Sequence, residues 1–338
     1  MKVNHKQLRI GLRTRIWIVV MRLFIKPMLR SLGVSGVRRV VREQIRMASH
    51  LPRHLYGLPT EYRIVHRVPG PSVGDWSRTD RTVILYLHGG AFLMPAVPRV
   101  HLPFLASLCR DLDAVGFMPD YRLAPFHKYP ASLDDCERAY RGLLEAGFAG
   151  ERIVIVGESA GGNLTLGLLQ RIRRAGLPRP ACAVPISAVT EMARVHAPPS
   201  RVANFKRDPI IPLHTMGGML QMYAADLDGS DPELSPLYAD FNGFPPLYFL
   251  VGESEVLLDD TLLAAQCADA AGVDVRVDVW PVMPHAFPLF QSLLPETRLA
   301  RQDIGEFIRR HTPQQVAPDA APPLRAVRHE ALGPMPAQ

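Results

Sequence analysis

The chain has 338 residues, of which 47% are hydrophobic and 21% charged, so it can bury one large or two modest cores. Its four cysteines lack C-x-x-C spacing and a neighbouring histidine cluster, which argues against a zinc site or a dense disulfide framework and favours a reduced, cytoplasmic location. The formal net charge is +7, but residues 1–50 hold twelve Lys and Arg against the single acid Glu43 and so carry +11. These charges form no recognisable binding motif, so the sequence predicts no nucleic-acid partner.

The basic N-terminal segment contains an apolar run over residues 16–25, which Arg22 interrupts and Lys26 ends. The run is shorter than the about 20 residues that a membrane span needs, and no small-residue cleavage site of a secretory signal follows it. Two interpretations remain: helices that cap an active site, or a basic amphipathic helix that lies on an anionic membrane. The cap is favoured, because apolar stripes more often contact protein than lipid. Peripheral membrane contact stays the alternative.

Apolar strand candidates alternate with helical segments through the middle of the chain. Alternation of this kind predicts an α/β fold with a mostly parallel central sheet flanked by helices, and functional sites at the carboxyl ends of the strands. The candidates are Val83–Leu87, Ala114–Met118, Ile153–Val156, Ala181–Ile186, Leu247–Val251 and Val273–Val279. Beyond residue 311 the chain becomes rich in Pro and Ala, which predicts a disordered tail over residues 312–338.

Paired glycines follow the first of these strands, in the sequence His88-Gly89-Gly90-Ala91-Phe92. A tetrahedral intermediate needs hydrogen-bond donors directed at its developing oxyanion, and glycines let backbone N–H groups approach where a side chain would obstruct them. We predict that the N–H groups of Gly89 and Gly90 form such an oxyanion hole, together with that of Ala160. A simple Gly-Gly loop is the alternative. His88 is interpreted as a structural residue that anchors the loop rather than as a general base.

The motif Gly157-Glu158-Ser159-Ala160-Gly161 lies between a strand and a helix. The β-branched run Ile153–Val156 precedes it, and a helical pattern over residues 162–174 follows it. This is the context of a nucleophile elbow, whose tight turn needs small neighbours and leaves the serine hydroxyl exposed above the sheet. A phosphate-binding turn is the alternative, but the motif lacks the Lys-Ser/Thr of a P-loop. Ser159 is therefore the candidate nucleophile.

A nucleophilic serine needs a base, and the base needs an orienting carboxylate. On this architecture the chain order is serine, acid, histidine. His285, in the loop after the last strand candidate, is the best-placed histidine beyond Ser159. Glu255 is favoured as the acid, because it lies in the loop just past the strand Leu247–Val251. The alternatives in the same acidic run are Glu253, Asp259 and Asp260.

Five motifs occur in order along the chain: HGGAF, DYRLAP, GESAGGN, SPLYADFNGFPPLYFLVGESEVLLDD and MPHAF. Over roughly residues 80–310 the sequence resembles the hormone-sensitive-lipase family of α/β-hydrolase esterases, the bacterial lipolytic family with the HGG motif. The resemblance implies hydrolysis of short- to medium-chain acyl esters, with Ser159 as nucleophile, His285 as base and Glu255 as the acid. It also implies a helical cap over the acyl pocket and a homodimer. This mechanism needs no metal or organic cofactor.

The predicted organisation is an N-terminal helical cap over residues 1–50 and an α/β-hydrolase catalytic domain over residues 51–311, with a further cap insertion around residues 190–225. Two acidic positions depart from the family pattern, since Glu158 and Glu255 both stand where the family usually has Asp. Two other functions stay open on the same fold. One is a deacetylase or amidase with the same triad, and the other is a ligand receptor that has lost catalysis.

Overall fold

The computed structural model describes residues 1–30, 51–224 and 227–314, and its centre is a ten-stranded sheet. The strands are β1 (Val3–His5), β2 (His54–Leu55), β3 (Leu58–Val65), β4 (Val68–Val73), β5 (Val83–Leu87), β6 (Val115–Phe117), β7 (Ile153–Glu158), β8 (Cys182–Ile186), β9 (Leu247–Gly252) and β10 (Val275–Trp280). Their spatial order is β1-β10-β9-β8-β7-β5-β6-β4-β3-β2. The first seven strands in this order run parallel to one another, whereas β4, β3 and β2 continue the sheet with antiparallel pairs.

The α/β class, the mostly parallel sheet and all six predicted strands are confirmed, with strand ends that differ by at most two residues. The antiparallel hairpin β3–β4 was not among the candidates, because the Pro-Gly-Pro sequence at residues 69–71 favours a turn over a strand. Gly70 is needed there, since a Cβ at this position would collide with the Met118 carbonyl oxygen. The prolines are tolerated because the pairing of β4 with β6 covers only Ser72 and Val73 and leaves Pro69 and Pro71 outside that ladder.

Helices cover both faces of the sheet. They are α1 (Leu12–Val20), α2 (Lys26–Arg30), α3 (Pro98–Leu112), α4 (Ala131–Glu145), α5 (Ala160–Arg174), α6 (Ser200–Ala203), α7 (Leu213–Ala224), α8 (Leu258–Ala270) and α9 (Thr297–His311). Alternate residues of β5 enter two separate cores: Val83 and Leu85 belong to the core shared with α4, α5 and α8, whereas Ile84 belongs to the core shared with α3 and α9. The parallel strands are apolar on both faces for this reason.

The N-terminal segment differs in part from the predicted helical cap. It begins with β1, an edge strand parallel to β10, and only then becomes helical in α1, a π-helical turn over Met21–Ile25, and α2. The Lys26 ammonium in α2 donates to the carbonyl oxygens of Phe205 and Asp208, at 2.5 and 2.7 Å. These bonds connect the N-terminal segment to the loop region between β8 and β9, which contains the predicted cap insertion around residues 190–225. Residues 31–50 of the predicted cap and 315–338 of the predicted tail lie outside the described residues.

Within the described ranges, no helix combines the length and the apolar character needed to cross a membrane.

Candidate active site

Ser159 occupies a strained turn between β7 and α5. Its backbone angles are φ 58° and ψ −119°, a conformation that costs a non-glycine residue free energy and is typical of functional sites. The turn is tight, because a Cβ at Gly161 would collide with the Leu87 carbonyl oxygen and one at Gly157 with the carbonyl of Gly161. These are the small neighbours that a nucleophile elbow requires. The structure therefore places Ser159 at the carboxyl end of β7, as predicted.

Glu255 and His285 meet beside this turn, although 30 positions separate them in the chain. The Nδ1–H of His285 donates to Oε2 of Glu255 over 2.8 Å, and both residues are buried. The second carboxylate oxygen, Oε1, accepts the Ser187 hydroxyl at 2.8 Å and the Gly252 N–H at 2.6 Å. Both oxygens of Glu255 are thus fixed, and the carboxylate holds the imidazole in one tautomer with Nε2 as its acceptor nitrogen.

The surroundings raise the pKa of both Glu255 and His285. Burial raises the pKa of the Glu255 carboxyl, against the opposing effect of His285. Burial also tends to lower the pKa of His285, but its hydrogen bond to Glu255 and the negative charge of that carboxylate outweigh burial and raise the pKa above its usual 6.5. His285 is therefore a stronger base than a free imidazole.

The neighbouring acids have other partners. Asp259 accepts the Ser200 N–H at 2.7 Å, in the first turn of α8, where a helix favours a carboxylate. Asp260 forms a fully buried ion pair with Arg201, whose guanidinium Nε lies 2.9 Å from Oδ2. Among the acids considered from the sequence, Glu255 is the one that the structure brings to His285.

The loop after β5 differs from its predicted role at one residue. The Gly89 N–H donates to Oε1 of the Glu158 carboxylate, so this amide is occupied and cannot serve as a free oxyanion donor. Gly90 and the next two residues have positive φ values of 125°, 54° and 62°. In the part of the chain that the structure describes, no protein acceptor binds the N–H groups of Gly90, Ala91 or Ala160, and all three residues line the same cavity as Ser159. The Gly89 N–H is therefore not available for its predicted role, whereas the N–H groups of Gly90, Ala160 and the unpredicted Ala91 have no such partner among the described residues.

Glu158 is the centre of a buried polar network beneath that loop. Its Oε1 lies 3.2 Å from Nε2 of His101, and its Oε2 accepts the Tyr86 hydroxyl at 2.6 Å. On the other side of the ring, Nδ1 of His101 contacts the Val97 backbone, at 2.8 Å from its nitrogen and 3.1 Å from its carbonyl oxygen. Burial opposes ionisation of Glu158, but its contacts with His101, Tyr86 and the Gly89 N–H together outweigh burial and lower the pKa of this carboxyl. The carboxylate is therefore held ionised beside the nucleophile.

His88, the other histidine of the HGG loop, has a structural role, as predicted. It is buried, and its ring stacks on Tyr121 with 4.2 Å between the ring centroids. Its Nδ1 lies 2.6 Å from the Gly89 carbonyl oxygen, while the Tyr121 hydroxyl donates to the His88 carbonyl. Burial lowers the pKa of His88 to about 4, so the ring is neutral and supports the loop.

A cavity of about 380 Å³ joins these groups, with Ser159 and His285 in its lining. Its walls are almost entirely apolar, and Leu29 of the N-terminal segment contributes to them. Four methionines also line it: Met94, Met192, Met216 and Met219. Over residues 1–30, 51–224 and 227–314, no three acidic, histidine or cysteine side chains are grouped so that they could hold a metal ion. The site offers a serine, a histidine–carboxylate pair and an apolar chamber.

Comparisons with known proteins find an α/β-hydrolase fold and relatives named as esterases. A family profile described as alpha/beta hydrolase fold matches residues 84–289. An acetyl-hydrolase of Streptomyces hygroscopicus is 35% identical, over 72% of this chain and 81% of its own. Esterase LipU of Mycobacterium tuberculosis is 36% identical, over 78% of this chain and 89% of its own. The crystal structure of an esterase from the bacterial hormone-sensitive lipase family superimposes with a TM-score of 0.79 at 32% identity, over 90% of this chain and 99% of its own.

Proposed function

Because this chain belongs to the hormone-sensitive-lipase-like family of α/β-hydrolase esterases, we propose that it cleaves short- to medium-chain carboxylic esters through an acyl-enzyme on Ser159. It is a serine ester hydrolase by its family, and the triad and substrate size are the new elements of the proposal. The observation that carries it is the 2.8 Å hydrogen bond between His285 and Glu255, because His285 lines the same cavity as Ser159.

In the proposed mechanism, His285 acts first as a base and then as an acid. Its Nε2 takes the proton of the Ser159 hydroxyl as the serine oxygen attacks the ester carbonyl. The tetrahedral intermediate collapses, and the imidazolium returns the proton to the departing alcohol. Water then attacks the acyl-enzyme with the same assistance and releases the carboxylic acid and free Ser159. Glu255 keeps the required tautomer of His285 and stabilises its positive form.

We assign the oxyanion hole to the N–H groups of Gly90, Ala91 and Ala160. This assignment differs from the sequence prediction because Gly89 donates to Glu158. The support for it is that the three amides line the cavity beside Ser159. Each such donor typically contributes about 10²–10³-fold to turnover.

The volume and the apolar walls of the cavity favour an acyl chain of short to medium length. Its walls contain four methionines, whose flexible thioether side chains adjust to ligands of different shape. We therefore expect a broad optimum over short and medium acyl chains rather than strict selection of one length.

The test is hydrolysis of a p-nitrophenyl ester series of increasing acyl length, with Ser159→Ala in parallel. We expect this variant to lose roughly 10⁴–10⁶-fold in kcat, because no nucleophile remains. The matched control is Ser77→Ala, since Ser77 is exposed and lies outside the cavity. A fluorophosphonate should label the Ser159 peptide in the wild type and in the control. Full activity of Ser159→Ala would contradict the proposal.

Matched p-nitroanilides distinguish the amidase alternative, because an amidase would turn over the anilide as well as the more reactive ester of equal acyl length, whereas an esterase would hydrolyse the ester alone. A folded protein that binds esters without turnover, and that fluorophosphonate does not label, would favour the receptor. The homodimer implied by the family resemblance is a separate proposal, which light scattering over a range of protein concentrations tests.

A further inference from the structure

The helical segment that starts with α1 has two apolar faces. Thr14, Ile18 and Met21 are buried against the body of the protein, and the Thr14 hydroxyl donates to the Glu296 carboxylate at 2.7 Å. A second apolar set faces solvent, with exposed fractions between 51 and 74%. It consists of Leu12, Ile16, Val19 and Leu23. A helix that only covers an active site needs the first face but not the second.

The exposed residues form one stripe, because spacings of four, three and four positions return to the same side of a helix. We call Leu12, Ile16, Val19 and Leu23 the outer stripe. At 100° per residue, this stripe lies opposite the buried face centred on Thr14, Ile18 and Met21. An apolar stripe of this kind, exposed to water, indicates a binding surface.

The outer stripe is flanked by positive charge. Residues 1–30 contain eight Lys and Arg and no Asp or Glu. The helical period places Arg13 on one side of the stripe and Arg15 and Arg22 on the other, and all three side chains are exposed. Arg13 and Arg22 donate only to backbone carbonyls, of Ser292 and Arg207. Throughout the described ranges, no acidic side chain forms an ion pair with these three arginines, so their charge is available to an anionic partner.

We propose that the outer stripe and its flanking arginines dock on an anionic lipid bilayer. The helix would lie in the plane of the interface, with the stripe at the boundary of headgroups and acyl chains and the guanidinium groups on the headgroup phosphates. A second copy of this chain fits the surface less well, because a two-fold contact would bring the arginines of both copies together. The charge therefore favours a membrane.

This inference goes beyond ester hydrolysis, since the outer stripe lies outside the catalytic cavity. The two are nevertheless connected through the chain. After Leu23 the segment continues into α2, where Lys26 binds the carbonyl oxygens of Phe205 and Asp208 and Leu29 reaches the cavity wall. Docking would hold the cap side of the enzyme near the lipid, where apolar esters concentrate.

The experiment is co-sedimentation of the full-length protein with vesicles of phosphatidylcholine containing phosphatidylserine, and with vesicles of phosphatidylcholine alone. We expect binding to the anionic vesicles that weakens as salt is added. The double variant Ile16→Ser/Leu23→Ser should reduce the vesicle partition coefficient by roughly tenfold or more, because two apolar side chains no longer enter the interface. Its hydrolysis of a soluble p-nitrophenyl ester should equal that of the wild type.

The matched control is Ile64→Ser, which removes an apolar side chain of 74% exposure on β3, near the other end of the sheet. It should bind vesicles as the wild type does. Ser159→Ala should also bind normally, so that loss of docking and loss of catalysis are separate results.

Three results would overturn the proposal. The first is absence of binding to anionic vesicles at low salt, and the second is equal binding by the wild type and Ile16→Ser/Leu23→Ser. The third is a concentration-dependent dimer that the double variant dissociates, which would make the outer stripe an interface between copies.

Discussion

Two buried glutamates flank the site, and they have the same kinds of partner. Each carboxylate contacts the backbone amide of a glycine, a side-chain hydroxyl and a histidine ring. The partners are Gly89, Tyr86 and His101 for Glu158, and Gly252, Ser187 and His285 for Glu255. The pKa nevertheless shifts in opposite directions, downward for Glu158 and upward for Glu255. Similar contacts therefore do not by themselves identify the carboxylate of a catalytic triad.

The second nitrogen of each histidine makes the difference. In His101, Nδ1 contacts the Val97 backbone and Nε2 lies 3.2 Å from Glu158, so both ring nitrogens have protein partners. In His285, Nδ1 binds Glu255, whereas no protein group in the described residues hydrogen-bonds Nε2, and the ring lines the cavity with Ser159. Only His285 has a nitrogen available to exchange a proton with substrate. Glu158 and His101 instead form a rigid support for the HGG loop.

Replacing each histidine by glutamine tests whether the two rings have different roles. His285→Gln should lower kcat by roughly 10⁴–10⁶-fold, because the proposed base is lost. His101→Gln should cost less than the about 10²–10³-fold that removal of one oxyanion donor costs, because it only weakens the support of the loop. Single-turnover acylation by a p-nitrophenyl ester measures both. Equal losses in the two variants would mean that His101 also takes part in proton transfer.

Two substitutions of Glu158 test whether its carboxylate positions the HGG loop. Glu158→Ala frees the Gly89 N–H and should lower kcat by about 10²-fold, near the cost of one misplaced oxyanion donor, while KM changes less. Glu158→Gln keeps an oxygen that can accept the Gly89 N–H, so it should recover most of the lost kcat. Affinity for a phosphonate transition-state analogue should follow kcat.

Thermal unfolding of Glu158→Ala and Glu158→Gln measures the folded fraction of each variant and so provides the control. If kcat of Glu158→Ala falls only in proportion to the folded fraction, or if Glu158→Gln is no better than Glu158→Ala, Glu158 does not position the loop.

The sequence predicts most of the fold because its parallel strands are continuous apolar runs, as in Ile153–Val156. It does not predict β1, which has only three residues, or β4, whose Pro-Gly-Pro centre is typical of a turn. Those strands depend on long-range pairing, which a local pattern does not contain. The structure alone brings Val3 beside Val277 and Ser72 beside Phe117.

Part of the candidate site is likewise predicted by the sequence, and part depends on long-range contacts. Ser159, Glu255 and His285 are found by motif and chain order, and the structure brings the last two into contact. The hydrogen bond that occupies the Gly89 N–H could not be found in this way, because it depends on a buried side chain, that of Glu158. The available signal is Glu158 itself, since a buried acid must find hydrogen-bond donors, and the nearest loop supplies one.

The smallest expected effect is on pH dependence. His285 must be neutral to accept the serine proton, and its pKa is raised above 6.5, so kcat/KM should fall as the pH drops through an apparent pKa above 6.5. Glu255→Gln should move this midpoint downward, because it removes the charge that most favours the imidazolium. Glu158→Gln should move it in the same direction but less, since Glu158 acts on His285 only through its more remote charge. The pH profile of kcat/KM for the three proteins checks this order, and a larger shift in Glu158→Gln than in Glu255→Gln would reverse the roles assigned to the two glutamates.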